Sequence, residues 1–323
     1  MGETDVRSSV RSGDVLAWCG LLIAAAALAA RYLPVVNHTI LIIGAASPYL
    51  TTIAAMSAVL LLANRRRRSA ALAVLLLAAA VITPVRNFTA RNVADDCIPI
   101  RVLTANLHDG EADPESVAAA ARTNADLLFV QELTPQLAET LNGDYFTSDF
   151  PHRFLQPGRY GAGVGFWSRY PIVGSRSIPG FALGALTATV HPPGTGGVVV
   201  ATVHLAGPWP QPIDLWRAEI AALPETLNQL AAAAGPRAAV AAGDLNATAD
   251  LKPFRRLLDT GFRDAGRLFG LAATWPAESP MSPVIGIDHV LTYNSTTTDA
   301  HAVRIAGSDH LALAATVWVP RNP

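Results

Sequence analysis

Ala238–Thr248 reads AAVAAGDLNAT. A short apolar run holding Val240 stops at Gly243, and Asp244 and Asn246 follow with Leu245 between them. Alternate residues of a strand project to the same side, so a buried strand here would present the carboxylate and the amide together at its carboxyl end. Gly243 supplies the backbone freedom for a sharp turn. A carboxylate beside an amide at a strand tip suits the holding of a water near a metal and a phosphate. The same residues also make an ordinary polar turn, so the rest of the chain has to arbitrate.

Working outward, the second part of the chain alternates strand and helix signals. Strands are predicted over Ile100–Ala105, Ala125–Val130, Gly161–Trp167, Leu186–His191, Val198–His204, Ile287–Tyr293 and Leu311–Val319, with Gly194–Gly197 turning a hairpin. Helices are predicted over Pro114–Arg122, Pro135–Leu141, Pro253–Leu258 and Leu215–Ala234, the last kinked or split at Pro224. Hairpins mixed with helices give an α+β arrangement of packed sheets with helices outside. Polar residues recur at the ends of these strands: Asn106, Glu132, His204, Asp244 with Asn246, and Asp309 with His310, while Asp288 sits just inside a strand. Each alone has a plain structural explanation, such as Asp288 pairing with Arg304. Together they repeat one location.

The first ninety residues are of another kind. Val15–Leu33, Ile40–Ala63 and Ala70–Val85 are apolar runs near the roughly 17–25 residues that span a bilayer, giving a membrane anchor of about three helices over residues 1–90. Arg65–Arg68 lies between the second and third, and basic loops stay cytoplasmic, which places the chain beyond the third run outside. The first run, with Arg7 and Arg11 ahead of it, also fits a cleaved signal peptide. A polar linker over 91–99 leads to a catalytic unit over 100–320. The hydrophobic fraction of 51% reflects this anchor, and a net charge of -1 gives no global case for nucleic-acid binding. Cys19 and Cys97 are the only cysteines, which excludes a cysteine metal site and makes a disulfide unexpected.

TANLH at 104–108, VQE at 130–132, GVGFWSRYPI at 163–172, TVHL at 202–205, GDLNAT at 243–248, GIDHVL at 286–291 and GSDHLAL at 307–313 together resemble the endonuclease/exonuclease/phosphatase superfamily. The resemblance covers roughly Arg101–Val319, with the motifs in the family's order. It implies a four-layered α/β/β/α sandwich and a divalent metal, Mg2+ or Mn2+. It implies Glu132, Asn106 and Asp309 at the metal, and Asp244 with Asn246 orienting the attacking water. It implies His310 as the catalytic histidine, steadied by Asp288, and His204 as the donor to the leaving oxygen. Several members carry an aspartate where this chain has His108, which leaves a second metal position open or has His108 meet substrate or metal. Arg159, Arg169 and Arg217 are the candidates for a phosphate-facing arginine, with surface ion pairs as the alternative. Trp209 and Trp216 read either as a rim touching substrate or lipid or as packing residues.

Magnesium prefers oxygen ligands and retains waters, so few protein carboxylates are needed. The sequence thus reads as a membrane-anchored, metal-dependent phosphoesterase facing outward. Its expected partners are the bilayer and a phosphate ester, a lipid head group before a nucleic acid, with no protein partner evident. An extracellular nuclease is the alternative within the enzyme class, and an inactive binding module the alternative outside it.

Overall fold

The computed structural model describes residues 12–85, 93, 96–267, 273–277 and 282–321. Residues 91, 92, 94 and 95 of the expected linker, and the arginines ahead of the first apolar run, lie outside them. The chain divides into two units, Met1–Asn87 and Phe88–Pro323.

The first unit contains α1 (Ser12–Ala30), α2 (His38–Ala45), α3 (Ser47–Ala63) and α4 (Arg67–Val85). The run expected as one span over Ile40–Ala63 is broken, with α2 and α3 bent by 63°. Pro48 in the first turn of α3 has no N–H to donate backward, and it disfavours helical geometry in the residue before it. Among the described residues, Gly13–Ala30 is long and apolar enough to cross a membrane, and the bent pair passes the same test if taken together. Small residues make the contacts: Ala17, Ala24, Ala54, Ala58 and Ala73 are buried, and a Cβ on Gly20 would lie 2.3 Å from Ser57 Oγ. Large ones face out, with Leu16, Leu22, Met56, Val59 and Leu75 all more than 60% exposed. Arg65 and Arg66 between α3 and α4, and Arg67 and Arg68 in the first turn of α4, are exposed, and Arg66 pairs with Asp14 at 3.2 Å.

The second unit contains the strands β1 (Cys97–Asn106), β2 (Leu127–Gln131), β3 (His152–Pro157), β4 (Gly163–Ser168), β5 (Ile172–Ser177), β6 (Ala185–Val190), β7 (Val198–Val203), β8 (Ala239–Asp244), β9 (Arg263–Asp264), β10 (Asp288–Tyr293), β11 (Thr296–Arg304) and β12 (Leu311–Pro320). One sheet runs β11-β12-β1-β2-β4-β3 and the other β5-β6-β7-β8-β10-β9. The strand period of two sorts their residues. Val102, Leu127, Phe129 and Phe166 meet Leu186, Val200, Val240 and Val290 between the sheets. Leu103, Ala105, Leu128 and Val130 turn outward onto α5 (Pro114–Asn124) and α6 (Pro135–Thr140). On the other face α7 (Ile213–Ala234) covers β7 and β8, and α8 (Lys252–Leu258) packs beside it. The result is the expected α+β sandwich of two sheets between helices.

Pro224 neither splits α7 nor ends it; the helix runs through as one element of 22 residues. Strands β3, β5 and β11 lie at or next to sheet edges and were not expected. Their residues are nearly all exposed or half-buried, so they lack the apolar alternation that marks a core strand.

Candidate active site

Direction brings the polar strand ends to one rim. Strands β1 and β2 are parallel, as are β7 and β8, so Asn106, Gln131, Val203 and Asp244 close their carboxyl ends. Strands β10 and β12 run antiparallel to β8 and β1. Their amino ends therefore reach the same rim and deliver Asp288 and the Asp309–His310 pair. Gly243 does something other than turn the chain. A Cβ there would lie 1.9 Å from the Val203 carbonyl oxygen, so glycine lets β8 press against β7 just before Asp244.

The floor of the site is buried. Asp244 accepts from the Asn246 backbone N–H at 2.8 Å through Oδ1, and from Asn106 Nδ2 at 3.1 Å through Oδ2. The same Oδ2 lies 3.8 Å from His310 Nε2 and 3.7 Å from His204 Nε2. His310 Nδ1 is 2.9 Å from Asp288 Oδ2, and Asp288 Oδ1 is buried with no hydrogen-bond partner among the described residues. Asp288 therefore serves His310 and not Arg304, whose Nη2 donates to the Ala277 carbonyl.

The two histidines differ in charge. Burial works against a charged His310, but the carboxylates of Asp288 and Asp244 outweigh it and push the ring up to about 10, an imidazolium at neutral pH. Burial wins at His204, lowering its pKa and leaving it neutral. Asp244 is raised by burial and by the charge on Asp288.

The mouth is half-buried and carries Glu132, Asp309, His108 and Asn246. Glu132 accepts from Asn106 Nδ2 at 3.0 Å and from the Asp109 N–H at 2.6 Å; burial raises its pKa. Asp309 accepts from Trp275 Nε1 at 3.4 Å and lies 3.9 Å from His108 Nδ1. Backbone strain is concentrated here: Glu132, His108, Asp109 and Asn246 all have positive φ, between 46° and 57°.

These residues fit a hard divalent cation. The carboxylates of Glu132 and Asp309 are partly desolvated, and among the described residues no arginine or lysine pairs with either. Their donors are oxygens, as magnesium prefers. Asn106 turns its amide nitrogen to the carboxylates of Glu132 and Asp244 and its oxygen to the His108 N–H, so it spaces the two acids. Asp244, Asp288 and His310 also cluster, with atoms within 4.8 Å of one another. The mouth offers a hard cation the oxygen-only set of the two.

Three of the candidates take the alternative reading, ion pair or packing, and lie elsewhere. Arg217 is ion-paired to Asp214 on the surface of α7 at 3.1 Å. Arg169 donates to the Ala125 carbonyl and stacks over Phe150. Trp216 is fully buried and donates to the Leu245 carbonyl, leaving only Trp209, 62% exposed, for a rim. Arg159 is exposed in the β3–β4 loop, two residues from Gly161, whose N–H donates to Asp109 Oδ1.

Supporting residues went unread in the sequence. Gln131 joins Thr104 to Thr202 beneath the site, linking the sheets. Ser308 Oγ donates to the Asn106 carbonyl and accepts from the His310 N–H. Glu219, buried on α7, accepts from the backbone of Ala182 and Ala206 at 2.7 Å each and so fixes the segment after His204. A lone glutamate in a helix carries no sequence signal for that role.

The fold has solved counterparts. D. rerio TDP2, complexed with a single-strand DNA product, is 17% identical over 68% of this chain and 98% of that one, with a TM-score of 0.54. An endonuclease/exonuclease/phosphatase from Beutenbergia cavernae is 22% identical over 69% and 72%, at 0.52. A mannosyl-6-phosphatase of Bacteroides thetaiotaomicron is 13% identical over 68% and 99%, at 0.54. At such identities the likeness is one of fold. No curated protein matches the chain. Residues 103–310, which hold every strand-end residue of the site, match the Endonuclease/Exonuclease/phosphatase family, and the chain belongs to it.

Proposed function

We propose that this family member is a metal-dependent hydrolase of phosphodiesters or phosphomonoesters, anchored in a membrane, with its second unit on the extracytoplasmic side. One observation carries the catalytic reading. A buried carboxylate, Asp244, stands between a charged histidine and a neutral one, below a mouth of carboxylates with which no arginine or lysine pairs among the described residues.

In this reading Glu132 and Asp309 hold Mg2+ or Mn2+, which supplies charge neutralisation on the phosphoryl oxygens. Asp244, fixed by Asn106 and the Asn246 N–H, orients the attacking water. The imidazolium of His310, held by Asp288, faces the charge that develops on the phosphoryl group. Neutral His204 still offers one ring N–H toward the leaving oxygen. His108 at the mouth and Arg159 on the exposed β3–β4 loop are the residues assigned to substrate contact.

The membrane reading rests on the first unit. Small residues at helix contacts with large apolar side chains outside are the packing expected in lipid. The Arg65–Arg68 loop favours a cytoplasmic position for that turn, and an outward position for the chain beyond α4. Proximity to lipid favours a head-group substrate. A nuclease is the second reading, favoured by the TDP2 structure that shares this fold and holds a DNA product.

The test is hydrolysis by the purified full-length protein with Mg2+. The panel holds sphingomyelin, phosphatidylcholine, phosphoinositides, single- and double-stranded DNA, RNA and bis(p-nitrophenyl) phosphate. Cleavage of a lipid supports the proposal. Cleavage of nucleic acid alone selects the second reading, and no cleavage of any member by folded protein removes both.

A further inference from the structure

His289 stands beside Asp288 on β10 but faces the other way, as strand geometry requires. Asp288 points into the site, whereas the His289 ring packs on Phe254 of α8, with centroids 4.3 Å apart. The ring is buried, and both nitrogens face oxygens: Nδ1 lies 3.1 Å from Asp264 Oδ2, and Nε2 lies 2.8 Å from the Ala247 carbonyl. A carbonyl only accepts hydrogen bonds, and so does a carboxylate. A neutral ring would press a lone pair against one of them. A ring protonated at both nitrogens satisfies both and places its charge against an aromatic face.

Ala247 follows Asn246, the residue with φ +49 whose side chain donates to the Leu205 carbonyl at 2.9 Å. That hydrogen bond joins the segment after Asp244 to the segment after His204. We propose that His289 is a positioning residue, held as an imidazolium by Asp264, whose charged ring fixes the Ala247 carbonyl and through it the water-orienting Asp244–Asn246 turn. Burial of the ring opposes the charge, but Asp264 overcomes it and the pKa is raised. The consequence for catalysis rests on the hydrolase reading above; the charge state does not.

Two measurements on the full-length protein separate these. With 15N-labelled histidine, the ring of His289 is expected to show two protonated nitrogens throughout the range from about pH 6 to 8.5, well past the usual imidazole titration. A single protonated nitrogen in that range overturns the proposal. In hydrolysis of bis(p-nitrophenyl) phosphate with Mg2+, His289→Gln, which keeps a donor but no charge, is expected to lower kcat roughly 10–100-fold, as outer partners commonly do. KM is expected to stay within about twofold, because substrate binding is untouched. Unchanged kcat, or a loss matched by the unfolded fraction, overturns the positioning role.

Should His289→Gln fail to fold, Asp264→Asn keeps the shape and removes the counter-charge. It must give a singly protonated ring and the same fall in kcat; a charged ring or wild-type kcat overturns the proposal. If the wild type cleaves no ester, the hydrolase reading falls and the ring spectrum still decides the charge.

Discussion

At the scale of the residue, the site separates two histidines by environment, and that separation is measurable. His310 is held charged by Asp288 and Asp244 up to about 10. Its raised value contributes stability that is fully present below the ordinary imidazole value of 6.5 and is lost as pH rises through about 10. Activity that needs the imidazolium is therefore expected to hold from neutral pH and fall on an alkaline limb near 10. Asp288→Asn removes the principal charge that raises it, so the limb should move down toward the ordinary imidazole range. A limb that stays in place would separate Asp288 from the titration. The acid limb belongs to Asp244, which burial raises above its ordinary 3.8, so activity should fail at higher pH than an exposed aspartate would allow. Asp244→Asn should lower kcat by about 10²–10⁴, the usual range for a positioned acid–base group. Its Tm should stay at or above that of the wild type, since a desolvated carboxylate is a stability cost kept for function. A Tm well below the wild type would make Asp244 structural.

At the scale of the element, Gly243 is the tightest constraint. Gly243→Ala drives a Cβ into the Val203 carbonyl and should separate β7 from β8, with a destabilisation in the range of about 4–5 kcal/mol or more. A Tm within a few degrees of wild type would show that the strands can part cheaply. The central strands were legible in the sequence because apolar alternation and buried runs mark them, and their polar tips stood out for the same reason. The Asp244–Asn246 pair and the gathering of Glu132 and Asp309 at one rim are of this kind, whereas the His310–Asp288 partnership followed only from the family resemblance, the residues alone offering Asp288 to Arg304. What escaped was set by contacts distant in sequence or by local pairing that sequence leaves open. Arg217 satisfies Asp214 within its own helix, Trp216 turns inward, and Gly243 answers a neighbouring strand. The edge strands escaped because exposed edges need no apolar pattern, and Pro224 was absorbed because helix packing outweighs one lost hydrogen bond.

At the scale of the whole molecule, an apolar helical unit and a phosphoesterase-type sandwich share one chain. If the outward topology holds, a protease added to intact cells should cleave within residues 100–320; complete protection of that unit would reverse the orientation. Metal should also be visible without turnover. Mg2+ at about a hundred times its Kd should stabilise the fold by roughly 2.7 kcal/mol, and Glu132→Gln should abolish that shift. A persistent shift in the variant would place the cation elsewhere.

The first measurement to make is hydrolysis of bis(p-nitrophenyl) phosphate by the purified full-length protein through one cycle of EDTA and Mg2+, beside Asp244→Asn and His310→Gln. Activity that vanishes on chelation, returns with Mg2+ and is lost in both folded variants is the expected result. Turnover that survives chelation, or that either variant retains at the wild-type rate, would contradict metal-dependent hydrolysis at this site.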